Sequence, residues 1–212
     1  VAKTNSSGTY QWDKFYGSAS TRSDYALVVA EDPNAPYDFY VAGFTMSNSA
    51  GLGGDLMVVK LSADGNTVRW AKSYGDGSAT YREQANAMIV AADGNLVVTG
   101  YTRGFAPGYN HDDLYLLNIN SSDGSVIWSK AFGGNANEAG NGVKQATDGG
   151  YMITGVTNSY GAGLNDVYML RVNSSGSCGC GNEYTPGTIA ANLTFNVIST
   201  TWLSKNTTAA TE

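Results

Sequence analysis

One six-residue stretch occurs three times in this chain at a constant spacing. Its copies begin at Trp12, Trp70 and Trp128 and read Trp-Asp-Lys-Phe-Tyr-Gly, Trp-Ala-Lys-Ser-Tyr-Gly and Trp-Ser-Lys-Ala-Phe-Gly. The first residues of consecutive copies lie 58 positions apart. A fixed period of this length is typical of repeat architectures, in which each copy is one supersecondary unit that packs on its neighbours. The chain is therefore expected to fold as a small number of equivalent units.

Within each unit, short apolar runs alternate with Asp-Gly or Gly-rich turns. Asp93-Gly94 and Asp148-Gly149 each precede a strongly hydrophobic run, and Asp-Gly between apolar runs is a strong hairpin signal because glycine accepts the positive φ of the turn. The unit is predicted to hold a strand that begins at an acidic residue, a hydrophobic second strand, a third strand and the Trp strand. The third strands are predicted to begin at Asp55, Asp113 and Asp166. Four antiparallel strands repeated radially describe a propeller blade.

The loop before the last of these third strands carries the most regular motif. Residues 157–168 read Thr-Asn-Ser-Tyr-Gly-Ala-Gly-Leu-Asn-Asp-Val-Tyr. With the Trp stretches and Asp-Gly-Gly-Tyr, this pattern resembles the secreted β-propeller repeat families of bacteria and archaea. The resemblance covers roughly residues 10–176, although residues 45–55 are one residue longer and residues 102–113 keep only Gly108 and the aspartate. It implies a propeller-like fold and no particular activity, because propellers host many functions.

The predicted fold class is therefore all-β, with a three-repeat β-propeller-like domain of four-stranded antiparallel units over residues 1–177. The units span approximately 18–75, 76–133, and 134–177 plus 9–17. The last unit lacks a Trp strand after Ser177, so the N-terminal strand is expected to complete it, on its own chain or on a neighbour's, and to remove an open edge. Because propellers usually have about four to eight blades, a threefold β-trefoil or β-prism is the alternative.

Residues 178–212 form a Cys-Gly-Cys linker followed by a C-terminal strand and tail. Ile189, Leu193, Phe195 and Val197 alternate with more polar residues, which predicts an amphipathic strand without a hairpin partner. We expect this strand, about 188–203, to pair with another subunit. A head-to-tail contact that does not close generates a filament, so the expected partner is a homo-oligomer or filament of the same chain. The alternative is that the strand folds back on its own propeller.

Composition narrows the partners and the compartment. Twelve basic and eighteen acidic residues give a net charge of −6, which argues against nucleic acid or an anionic membrane as a partner. No apolar run is long enough for a membrane span, and any secretion signal is expected to have been removed or to lie outside this sequence. Five Asn-X-Ser/Thr sequons favour an extracellular or cell-surface glycoprotein with covalent glycans. The sequons are Asn5, Asn120, Asn173, Asn192 and Asn206.

Cys178 and Cys180 are the only cysteines. Two cysteines are too few for a disulfide framework or a four-cysteine zinc site. Their spacing is compatible with a local disulfide, an intermolecular disulfide or two inert thiols.

The sequence nominates no catalytic constellation. His111 is the only histidine, so a Ser-His-Asp triad would have to include it; we expect a surface loop residue instead. The aspartates that begin the third strands could bind calcium, but one carboxylate per loop falls short of the six to eight oxygens that calcium prefers, and turn aspartates recur for structural reasons. The chain is therefore predicted not to be an enzyme and to have no cofactor, with calcium as a possible ion.

Two functions follow from this interpretation. The first is a structural subunit of an extracellular filament or surface assembly, joined by head-to-tail strand donation. The alternative is a secreted carbohydrate-binding or adhesion module, in which Trp12, Trp70 and Trp128 would stack on sugars. The regular placement of the three tryptophans favours packing between blades over sugar stacking.

Overall fold

The computed structural model describes residues 1–17, 22–35, 37–47, 53–78, 80–105 and 111–199. These residues form sixteen β-strands and no helix, and the all-β, propeller-like fold class is confirmed. Accordingly, no helix in these ranges is able to span a membrane. The strands are β1 Ala2–Thr4, β2 Tyr10–Gly17, β3 Asp24–Glu31, β4 Phe39–Thr45, β5 Asp55–Leu61, β6 Val68–Gly75, β7 Glu83–Val90, β8 Leu96–Thr102, β9 Asp113–Ile119, β10 Val126–Phe132, β11 Glu138–Gln145, β12 Tyr151–Thr157, β13 Asp166–Val172, β14 Glu183–Tyr184, β15 Ile189–Asn192 and β16 Asn196–Ser199.

The strands form four antiparallel sheets that follow the repeat. The first blade contains β3, β4, β5 and β6, and the second blade contains β7, β8, β9 and β10, each in sequence order. Each of these blades gains a short fifth strand beside its Trp strand, β15 on β6 and β14 on β10. Among the described strands, the third blade consists of β11, β12 and β13, and the N-terminal sheet has the order β1-β2-β16.

A glycine fixes the same β-bulge in every blade. Gly43, Gly100 and Gly155 lie on the second strands, opposite register shifts in β3, β7 and β11. A Cβ added at these glycines would lie 1.9, 1.7 and 1.9 Å from a backbone carbonyl oxygen of the first strand. No side chain fits at that distance, so glycine permits the close approach that the bulge requires.

The repeated tryptophans pack on the repeat that follows them. Trp12 lies over Gly65, Trp70 over Gly124 and Trp128 over Gly176, and a Cβ at each glycine would come within 3 Å of the indole carbons. The three glycines have positive φ, so each turn combines a left-handed residue with a flat indole. The predicted packing role of the tryptophans is therefore what the structure shows.

The N-terminal strand does not complete the third blade within the chain. β2 pairs with β1 and β16, whereas β13 pairs only with β12 among the described strands. That part of the prediction is corrected. The physical reason is the order of packing: Trp12 contacts Gly65 and Phe39 of the first blade, which places β2 at the opposite end of the molecule from β13.

The C-terminal segment follows the outer edges of the chain's own sheets. β14, β15 and β16 add to β10, β6 and β2 in turn, so the expectation that residues 188–203 need another subunit is wrong for the described part. Leu193 donates its N–H to the Ala71 carbonyl and is buried, with Phe195 packed beside it. Val197 pairs with Tyr16, whereas Ile189 stays exposed. A four-stranded blade leaves the outer edge of its Trp strand unpaired, and this segment fills that edge.

Candidate assembly interface and acidic clusters

Neighbouring blades pack through alternating residues of their second and third strands. In the first blade Tyr40, Ala42, Leu56 and Val58 are fully buried, and they join one apolar cluster with residues of the second blade. In the second blade Val97, Leu114 and Leu116 are fully buried in the next cluster, which extends into the third blade. Because alternate residues of a strand point to opposite faces, each blade has one face for the preceding blade and one face for the following blade.

The third blade presents the same outward face without a described strand packed on it. Val167 and Met169 occupy the second and fourth positions of β13, as Leu114 and Leu116 do in β9. Val167 is 83 % exposed and Met169 is 63 % exposed, whereas Leu114 and Leu116 have no exposed surface. The difference arises because no described strand packs on this face. We call Val167, Met169 and the open edge of β13 the tail face.

The first blade has a complementary uncovered face at the other end of the molecule. Val29 of β3 is 63 % exposed, although Met88, at the equivalent position of β7, is buried against the first blade. The N-terminal sheet supplies no first or second strand to cover this face. We call this face of β3, marked by Val29, together with β2 the head face.

A buried acidic cluster lies between the first and second blades. Glu83, the first residue of β7, accepts hydrogen bonds from Thr102 Oγ1 and the Gly104 N–H through Oε1. Its Oε2 is buried without a hydrogen-bond partner among the described residues. A Cβ added to Gly75 would lie 2.8 Å from this Oε2 and 2.4 Å from Asp55 Oδ1. The absence of a side chain at Gly75 therefore leaves room for both carboxylates.

The surroundings of Glu83 favour its neutral form. Burial, together with the smaller effect of the nearby charges of Asp76 and Asp55, raises the pKa of Glu83 to about 8, although the hydrogen bonds from Thr102 and Gly104 oppose the shift. Burial likewise raises the pKa of Asp55, partly offset by a hydrogen bond from Ser73. Because Glu83 has no exposed surface, its carboxyl group is shielded from solvent. The cluster is a buried structural feature of the blade interface.

The equivalent cluster between the second and third blades is better satisfied. Glu138 accepts from Thr157 Oγ1 at 2.7 Å, and its other oxygen accepts the Gly134 N–H at 2.8 Å. Asp113 accepts the Tyr184 hydroxyl and lies 3.2 Å from His111 Nδ1. Burial raises the pKa of Asp113, and these two partners oppose that effect. His111 thus belongs to the loop before β9, as predicted, but its side chain is only 15 % exposed beside Asp113 and is not a free surface group.

The aspartates considered for calcium lie in three different blades. Asp55 and Asp113 belong to the two interblade clusters, and Asp166 accepts the Ala162 N–H within its own loop. Each carboxylate thus has a local structural role, as a turn aspartate does. The one group of metal-ligand residues that the described ranges bring together is Cys178, Cys180 and Glu183. Its two thiols are joined in a disulfide, so this group is not a set of thiolate ligands.

The Cys178–Cys180 disulfide lies where the chain leaves the third blade. Glu183 Oε2 accepts the Cys178 N–H at 2.9 Å, and Glu183 Oε1 pairs with Lys130 Nζ at 2.9 Å. Lys130 belongs to β10, so these contacts hold the start of the C-terminal segment on the second blade. The sequence left three states of these cysteines open, and the structure contains the local disulfide.

Three of the five sequons share one turn geometry. In each, the asparagine Oδ1 accepts the backbone N–H of the hydroxyl residue two positions later: Asn5 from Ser7, Asn120 from Ser122 and Asn173 from Ser175. Asn5 and Asn173 are exposed and Asn120 is half-buried. Asn192 is exposed at the end of β15. Asn206 lies outside the described residues.

No protein-family model matches this chain, and a search of curated proteins finds no relative of it. The class that the fold defines is an all-β, propeller-like repeat domain with two uncovered ends.

Proposed function

We propose that this chain is a structural subunit that joins copies of itself head to tail in an extracellular assembly. The observation that carries the proposal is the tail face. Val167 and Met169 repeat the positions by which the first and second blades accept the next blade, and no described strand covers them. Exposing large apolar side chains forfeits roughly 1.5–3 kcal/mol each. A neighbour's head face offers the matching surface.

The contact joins two different surfaces and is therefore heterologous. Such contacts give a closed ring when the rotation between copies closes, and an open filament when it does not. Two copies with three repeats each would give a ring within the usual range of about four to eight blades. A filament forms through the same contact when the rotation does not close. The observation of a ring or a filament would therefore indicate the rotation between successive copies.

The tail face can be tested by one charged substitution and a matched control. Met169→Lys places a charge on the tail face and should keep the chain monomeric at concentrations at which the wild type assembles. The control is Ile127→Arg, because Ile127 is a comparably exposed apolar residue on β10 whose counterpart in the preceding repeat is Arg69. Sedimentation velocity and electron microscopy measure the result. A wild type that stays monomeric at every concentration would contradict the proposal.

The extracellular and glycosylated parts of the proposal draw support from the sequon turns. The same exposed turn recurs at Asn5 and Asn173 with the same hydrogen bond, and a turn at the surface leaves space for a glycan. Intact-mass measurement of material from the native source tests this part. An unmodified polypeptide would contradict it and would leave head-to-tail assembly unaffected.

A groove beside the N-terminal sheet favours the second candidate, a carbohydrate-binding or adhesion module. It has a volume of about 330 Å³, and its lining includes Trp12, Tyr37 and Phe39 together with Lys3 and Glu31. Aromatic faces with a few polar groups are typical of small-ligand sites. Tyr37→Ala should then abolish glycan binding by the isolated chain. Binding that survives this change, or no binding in a glycan array, would remove this candidate.

A further inference from the structure

The short strand β1 occupies the place of a third strand beside β2. In the complete blades the Trp strand pairs with the third strand so that Trp70 lies opposite Lys60 and Trp128 opposite Asn118. In the N-terminal sheet Trp12 lies opposite Lys3 in the same way. The Val1 carbonyl accepts the Lys14 N–H, and no described strand pairs with the rest of this edge of β2. β1 thus covers half of an edge that a seven-residue third strand covers elsewhere.

The turn that follows β1 also copies the turn that follows β13. Asn5-Ser6-Ser7-Gly8 matches Asn173-Ser174-Ser175-Gly176 in sequence. Both asparagines accept the backbone N–H two positions later, and both glycines have positive φ. The segment of residues 1–8 is therefore a short version of the end of β13 and its turn.

The strands of a third five-stranded blade are divided between the two ends of the molecule. Fifteen strands fall into three sets of five, each with four repeat strands and one outer strand from the C-terminal segment. The third set consists of β11, β12 and β13 at one end of the molecule and β2 and β16 at the other end. β1 is the single strand left over. Every element of a third five-stranded blade is present in the chain, but its two parts are separated.

We infer that β13 of one copy displaces β1 of a second copy and pairs with that copy's β2, an inference that rests on the proposed function. The register of the complete blades places Arg171 opposite Trp12, Met169 opposite Lys14 and Val167 opposite Tyr16 of the second copy. The joined sheet has the order β11-β12-β13-β2-β16, as in the first and second blades. β1 then acts as an internal competitor that shields the edge of β2 until a second copy replaces it.

The pairing predicts which introduced cysteines form a cross-link. A chain with Lys14→Cys and Met169→Cys should form disulfide-linked ladders under mild oxidation once assembled. The control combines Lys14→Cys with Arg171→Cys, which is two residues out of register and should cross-link far less. Non-reducing electrophoresis separates the two. Equal cross-linking of both pairs, or none by the in-register pair, would overturn the inference.

The role of β1 is tested by two proline substitutions. Val1 and Lys14 exchange both backbone hydrogen bonds, so by the alternation of antiparallel pairs Lys3 is a bonded position and Ala2 is not. Lys3→Pro removes a ladder donor and should lower the concentration at which assembly begins, whereas Ala2→Pro should change it much less. An unchanged onset for Lys3→Pro would overturn the competitor role. Assembly that depends on Met169 but not on β1 would leave the proposed function standing, and no assembly at all would remove both.

Discussion

Glu83 should make the stability of this chain fall as the pH rises, and Glu83→Gln should remove that fall. The carboxyl group has no exposed surface, and its Oε2 has no hydrogen-bond partner among the described residues. Its pKa in the folded chain is about 8, compared with an ordinary value of 4.5. Folding therefore favours the protonated form. The stability from this group is complete below the unfolded pKa and is lost as the pH rises through the folded pKa.

The size of the effect follows from the shift. One pKa unit corresponds to about 1.4 kcal/mol, so the full shift amounts to on the order of 5 kcal/mol between about pH 4.5 and 8. Glutamine has the same shape without the charge, and its side-chain oxygen still accepts from Thr102 and Gly104. At pH 5 the variant and the wild type should differ by no more than about 1 kcal/mol. At pH 9 the glutamine variant should be the more stable protein by several times that amount.

Urea unfolding followed by tryptophan fluorescence at pH 5, 7 and 9 measures the difference between the two chains. Taking the difference at each pH cancels the contributions of groups that both chains share. Glu138→Gln is a useful comparison, because it replaces a carboxylate whose oxygens are both hydrogen-bonded and should cost about 1 kcal/mol already at pH 5. A free-energy difference between wild type and Glu83→Gln that stays constant from pH 5 to 9 would refute the argument.

Three further predictions test packing and modification. Gly100→Ala places a Cβ 1.7 Å from the Gln84 carbonyl oxygen and should destabilise the chain by about 3 kcal/mol or more in chemical unfolding. In the control Gly17→Ala, the new Cβ meets no atom within 4 Å, so the same assay should show little change in stability. Leu193→Ala removes a buried side chain that anchors the C-terminal segment and should lower the free energy of unfolding by about 2–4 kcal/mol. Ile189→Ala changes a site that is 53 % exposed and should lower it by less than half as much in the same measurement. Asn120→Gln should lower the intact mass of the natively produced protein by one glycan; an unchanged glycan mass would contradict modification at that turn.

The tertiary structure revealed most of the candidate site, although the sequence contained its parts. The exposed residues Val167 and Met169 look like any other apolar strand residues in the sequence. Only the comparison with the buried Leu114 and Leu116 shows that they lack a cover. The sequence also did not predict that Asp55 lies near Glu83, because the two residues belong to different blades and come together only when the blades pack.

The sequence by itself determined the repeat unit, the third strands that begin at Asp55, Asp113 and Asp166, and the turns between strands. These features depend on residues close together in the chain: alternation places side chains on two faces, and glycine permits the turns and bulges. Only the tertiary structure decided which strand edges meet. It placed β2 beside the first blade and not beside β13. It also paired the C-terminal segment with the chain's own sheets. Backbone hydrogen-bonding groups are alike in every strand, so the choice of partner rests on how the blades stack, and local sequence does not encode it.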